Sequence, residues 1–126
     1  MTFLLDTNIV IAVLNKEAAV ESQLAGKTIF LGSIVLGELY YGAHKSARSK
    51  ENLAKIEAFV VNYPILDCAK QTAEQYGLLK QALEAKGNPI PENDRWIAAL
   101  AKQHNLMLVT RDDHFKRIDG LSITKW

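Results

Sequence analysis

The apolar residues of this chain gather into short runs, too brief for buried helices and unbroken by polar positions. Thr2–Leu5 (TFLL), Thr28–Leu31 (TIFL), Ile65–Leu66 and the segment Leu106–Val109 (LMLV) are such runs. A strand with one wet face alternates apolar and polar residues, whereas a strand covered on both faces reads as a continuous apolar run. Between these runs lie segments with helical spacing of apolar residues. Strand alternating with helix predicts an α/β fold, with a mainly parallel central sheet flanked by helices.

The punctuation supports this reading. Asp6 can cap a helix running through Asn15, with Ile9, Val10 and Val13 on its apolar side. Glu17 to Ala25 reads as a second short helix stopped by Gly26. Ser33 can cap a helix from Ile34 to about Lys45, and Arg48 to Val61 forms the next, ended before Pro64. Asp67 can cap a long helix to about Lys86, closed by Gly87. A rigid GNPIP loop leads to a helix from Glu92 to His104 with Pro91 near its start, and Asn105 turns the chain into LMLV. Leu121 to Ile123 reads as a last edge strand.

With 126 residues and no internal repeat or linker, the chain is expected to be a single domain, 1–126. No apolar run approaches a membrane span, and MTFLLDTNIV lacks the basic start of a signal peptide. Cys68 stands alone, which rules out an internal disulfide and Cys-based zinc or iron–sulfur sites. A reduced, cytoplasmic protein is expected. Fifteen basic and 14 acidic residues give a net charge of +1, which argues against a nucleic-acid packaging protein but allows an enzyme that meets nucleic acid briefly. The basic clusters Lys45/Arg48/Lys50 and Arg111/Lys116/Arg117 read first as solvated faces.

Four acidic positions resist so plain a reading. Ligands bind an open parallel sheet beyond the carboxyl ends of its strands. Asp6 directly follows the first strand, and Asp112, with Asp113 beside it, closely follows the strand ending at Val109. Glu38 sits inside IVLGELYYGA, on or beside the inward stripe of its helix, where an unpaired carboxylate is costly. Gly37 before it lowers helix propensity, as expected where something approaches the backbone. Asp94 lies in the first turn of a helix. Each has an ordinary explanation alone: a cap, a turn or a complement to the helix dipole. Together they bring one acid from each of four segments to one end of a sheet. Clustered carboxylates repel, so a proton or a cation must relieve them. Oxygen ligands select Mg²⁺ or Mn²⁺ over zinc.

LLDTNIV, GSIVLGELYYG, PENDRWIAA and LVTRDDHF, in this order and spacing, resemble the four motifs of PIN-domain ribonucleases, most closely the VapC-type toxins of toxin–antitoxin pairs. The resemblance spans essentially the whole chain. It implies a PIN-like fold and a metal-dependent endoribonuclease, with the family's acids at Asp6, Glu38, Asp94 and Asp112. Polar helpers fall at Thr7, Asn8, Asn93 and Thr110. Asp113 is an alternative to Asp112, or else an auxiliary ligand or helix cap. In this reading Asp6, Glu38 and Asp94 hold one Mg²⁺ or Mn²⁺, and Asp112 completes the site or helps hold a second ion. Thr7 and Asn8 orient the first carboxylate. Arg95 and Arg111 contact phosphates or serve as surface ion-pair partners. The resemblance further implies a homodimer held inactive by a cognate VapB-like antitoxin, with the apolar faces of helices Ile34–Lys45 and Arg48–Val61 as its docking surface.

Other readings are weaker. An aspartyl-nucleophile phosphohydrolase needs a second acid where Asn8 stands. A receiver domain does not account for Glu38, and a vestigial binding module does not account for four filled acid positions. His44, His104 and His114 lack metal-ligand spacing and are expected at surfaces or helix ends. Cys68 is expected to be a small packed residue, and Tyr40 and Tyr41 to pack in the core, with one ring lining an RNA groove or a partner surface as the alternative.

Overall fold

The computed structural model describes residues 1–126. Its five strands are β1 (Thr2–Leu5), β2 (Thr28–Gly32), β3 (Ile65–Leu66), β4 (Met107–Val109) and β5 (Ile123–Thr124). They form one sheet in the order β3-β2-β1-β4-β5, and every pairing is parallel. The helices are α1 (Thr7–Leu14), α2 (Ala18–Glu21), α3 (Ser33–Lys45), α4 (Ser49–Val60), α5 (Lys70–Ala85) and α6 (Glu92–Gln103). Short 3-10 turns cover Ser22–Leu24 and Asp113–Arg117.

The central strand β1 carries Leu4 and Leu5, both fully buried, and its neighbour β4 carries Leu108 and Val109, also fully buried. These are the unbroken apolar runs of the sequence, covered on both faces as a parallel sheet requires. Helix α6 supplies Ile97, Ala98 and Leu100 to the same core. Gly32, the last residue of β2, is held there by packing: a Cβ at this position would lie 2.8 Å from Leu100 Cδ2. That contact brings α6 close to the end of β2, beside the start of α3.

Several boundaries differ from expectation. The helix expected over Glu17–Ala25 is one α-turn followed by a 3-10 turn, and Gly26 ends it with φ +73°. Ser33 is not a cap, because α3 begins at Ser33 itself, after Gly32. Asp67 does not cap α5, which starts three residues later. There Thr72 Oγ1 accepts the Ala69 N–H at 2.9 Å. The last strand lies at Ile123–Thr124, two residues beyond the expected start, in register with Leu108 and Val109. Gly37 borders open space, since a Cβ there would meet nothing within 4 Å, so no part of the chain approaches its backbone. Gly87 and Asn105 take the positive φ values expected where helices turn back. No helix is long and apolar enough to cross a membrane.

Candidate metal centre at the carboxyl edge of the sheet

The site grows from the ends of the two central strands. Asp6 is the first residue after β1, tied down by its own N–H donating to Val109 O at 2.9 Å. It is also the N-cap of α1, and its Oδ1 accepts the Thr7 N–H at 2.8 Å. Thr110, the first residue after β4, donates its hydroxyl to Asp6 Oδ2 at 2.7 Å. One strand end therefore fixes the carboxylate on the other. Each Asp6 oxygen accepts one hydrogen bond and keeps acceptor capacity in reserve.

Only 3 % of Asp6 is exposed. Burial is the main reason its pKa is raised to about 6; the Thr110 and Thr7 hydrogen bonds pull against the rise, and the nearby Asp94 and Asp112 charges add to it. Asp94, in the first turn of α6, is raised in the same direction, again chiefly by burial, with His114 opposing and Asp112 contributing. The charges of Asp94 and Asp112 thus disfavour the ionised form of Asp6, and that of Asp112 disfavours the ionised form of Asp94.

Glu38 reaches the site through α1. Its Oε1 accepts the Thr7 hydroxyl at 2.9 Å. Thr7 therefore serves two acids, Asp6 through its N–H and Glu38 through its Oγ1. Asn8 does not orient Asp6 as expected. It donates through Nδ2 to Asp112 Oδ2 at 3.2 Å, while its Oδ1 accepts the Arg111 N–H at 3.3 Å. The Asp112 N–H in turn donates to Thr110 Oγ1 at 3.0 Å. The Thr110 hydroxyl thus links Asp6 and Asp112.

Asp112 and Asp113 part company at the start of the 3-10 turn. Asp112 joins the group, whereas Asp113 is exposed beside Lys116 at 3.2 Å and Lys125 at 3.8 Å. Those lysines hold its pKa below the usual carboxylate range. It is not the cap of the turn, a position held by Asp112. Arg95 pairs with Glu92 at 2.7 Å and Arg111 with Glu17 at 3.0 Å, the ion-pair alternative in both cases. Asn93 is exposed beside Asp94. Tyr40 packs against the core, but Tyr41 is 65 % exposed with the Lys45 ammonium over its ring, so only the first is a packing residue.

The sequence reading missed His114. Instead of lying at a helix end, its Nε2 hydrogen-bonds Asp94 Oδ2. One ligand atom each from Asp94, Asp112 and His114 lie within 4.8 Å of one another. The available signal was position rather than histidine spacing: His114 stands two residues past an acid that follows a central strand. His44 and His104 are exposed at the ends of α3 and α6, as expected.

The residues suit a divalent cation. Asp94, Asp112 and His114 converge, Asp6 is joined to Asp112 through Thr110, and Asp6 and Asp94 are buried and biased toward protonation chiefly by that burial. A cation supplies the missing charge.

The comparisons with known proteins agree with this architecture. The family model for the PIN domain matches residues 3–121. The chain belongs to the PIN-domain family, a family of nucleases. Among its relatives are Ribonuclease VapC2 of Rickettsia felis, 37 % identical, and the tRNA(fMet)-specific endonuclease VapC of Shigella flexneri, also 37 % identical. Each alignment covers 100 % of this chain and 98 % of the relative. The same fold recurs in the crystal structure of VapBC2 from Rickettsia felis bound to a promoter DNA fragment. There the TM-score is 0.95 at 36 % identity, covering 100 % of this chain and 99 % of that one. Within the family, the chain groups with these VapC ribonucleases.

Proposed function

We propose that the chain is the toxin of a type II toxin–antitoxin pair and that it cleaves RNA by hydrolysing phosphodiesters at a site of Asp6, Glu38, Asp94 and Asp112 that holds Mg²⁺ or Mn²⁺. The observation that carries this reading is the buried Asp6 carboxylate, raised to about 6 by burial and by two neighbouring aspartates. Such a charge is tolerable at neutral pH once a cation joins it.

The ion, when bound, would acidify a water and offset charge on the phosphate. The protein's part is to hold the acids still. Thr110 and the Thr7 N–H fix Asp6, the Thr7 hydroxyl fixes Glu38, and Asn8 fixes Asp112. These partners decide the angle from which each oxygen faces the crevice. No serine or histidine nucleophile is required.

An antitoxin of the VapB type is the proposed partner, in keeping with the VapBC complexes among the structural relatives. A groove of about 270 Å³ runs between α1, α3 and α4, lined by Ile11, Leu14, Leu39, Ala43 and Ile56, with Glu38 at its wall. An apolar segment laid there would reach the acidic crevice at Glu38. The test is RNA cleavage by purified protein with added Mg²⁺ or Mn²⁺, comparing wild type with Asp6→Asn and Glu38→Gln. Initiator tRNA is the first substrate to try, given the specificity in the name of the Shigella relative. Cleavage lost in both variants supports the reading; cleavage retained in either refutes it.

A further inference from the structure

We infer that His114 is itself a ligand to the divalent ion, through Nε2, and that this nitrogen makes the site prefer a transition-series ion such as Mn²⁺ over Mg²⁺. The inference rests on the metal reading proposed above and narrows it.

Geometry comes first. His114 Nε2 and one carboxylate oxygen each from Asp94 and Asp112 lie within 4.8 Å of one another. Neighbouring ligands around a single octahedral ion sit roughly 3 Å apart and opposite ones about 4 Å, given bonds near 2.1 Å. A cation between the three atoms requires that the Asp94–His114 hydrogen bond open to admit it and that the ligand atoms settle to within about 4 Å of one another. The imidazole then turns a lone pair inward from Nε2 and carries its proton on Nδ1.

The side chain is held for such a task. Its ring lies 5.0 Å from that of Phe115, which is fully buried, and Ile118 anchors the end of the same 3-10 turn. The turn therefore presents His114 and Asp112 to Asp94 from a fixed base. His114 makes no other side-chain hydrogen bond than the one to Asp94.

Chemistry then decides the ion. Mg²⁺ takes oxygen ligands and retains several waters. Imidazole nitrogen suits transition ions, whose affinities for mixed nitrogen and oxygen sites rise from Mn²⁺ upward. Carboxylates alone accept both ions, so a four-acid site separates them less than a site that includes His114.

The test uses the full-length protein with Mn²⁺ as a paramagnetic probe and pulsed electron paramagnetic resonance as the readout. A ¹⁴N coupling should appear in the wild type and change to a ¹⁵N pattern when the histidines are isotopically labelled. It should vanish in His114→Gln. Calorimetry on the same pair should show the preference for Mn²⁺ over Mg²⁺ falling by about tenfold in the variant. Mn²⁺ bound by the wild type without a histidine nitrogen coupling would overturn the inference and leave the metal site standing. His114 would then be a residue that only positions Asp94. Failure of the wild type to bind Mn²⁺ at all would overturn both readings. If His114→Gln does not fold, the same labelled measurement on the His44→Gln/His104→Gln double variant, which leaves His114 as the sole histidine, decides the matter.

Discussion

The acids of this protein live in two different worlds. On the outer helices and loops, Glu92, Asp113 and Asp119 are exposed, and each has a neighbour that favours its charge. Tyr76 and Arg95 serve Glu92, Lys116 and Lys125 serve Asp113, and Lys86 serves Asp119, so all three are held below their ordinary pKa values. At the carboxyl edge of the sheet, Asp6 and Asp94 are shifted the opposite way, chiefly by burial and further by neighbouring aspartates, Asp94 and Asp112 for the first and Asp112 for the second. The chain has lysines and arginines to spare, yet none bonds to Asp6, Glu38, Asp94 or Asp112. Surface pairs of the first kind contribute little to stability. The second kind costs stability, and a fold retains such a cost where function needs the charge.

The contrast can be broken most severely at its centre. Asp6→Asn should lower RNA cleavage by on the order of 10³-fold, measured in a single-turnover assay, because both the carboxylate and its share of the ion are lost. Excess EDTA should abolish wild-type cleavage to a similar degree, with recovery on adding Mn²⁺. Next in size, Thr110→Val should lower cleavage by about 10- to 100-fold. It removes the hydroxyl that joins Asp6 to Asp112 while keeping the side chain's shape.

A stability measurement follows. Asp6 binds its proton more tightly when folded, so protonation favours the fold. That contribution is complete below about pH 4 and is lost as the pH rises through 6. Chelated, metal-free protein should therefore lose up to about 3 kcal/mol from this group over that interval, seen as a falling melting temperature. Asp6→Asn should flatten that slope, and saturating Mn²⁺ should reverse it. The smallest effect is expected at Asp113→Asn, which should leave cleavage and melting temperature essentially unchanged. A large loss there would erase the distinction between the two adjacent aspartates.

Much of this organisation was legible in the sequence, for identifiable reasons. Continuous apolar runs announce a sheet covered on both faces, and β1 and β4 lie where TFLL and LMLV predict. Glu38 stood out because a carboxylate amid IVLGELYYGA has no cheap place to go. The helix starts were less legible. Ser33 and Asp67 have the chemistry of caps, but α3 follows β2 directly with Gly32 at the cap position and Ser33 already helical, and Thr72 supplies the bond that Asp67 was expected to make. Which of two adjacent aspartates turns inward depends on where a 3-10 turn begins, and no residue pattern sets that. Asn8 was assigned to the wrong acid because sequence adjacency favoured Asp6, whereas the helix start directs its amide across to Asp112. His114 was overlooked for a related reason: its partner Asp94 is twenty residues away, joined to it only by the fold.

The Thr110 N–H donates to Thr124 O at 3.0 Å, and the Thr110 hydroxyl holds Asp6. The outermost strand, two residues long, is thus mechanically in series with the most deeply sunk charge of the molecule. Fraying at that margin would slacken Thr110 and, with it, the grip on Asp6. The rigidity of the reaction centre is set partly by a strip of backbone that touches none of its chemistry.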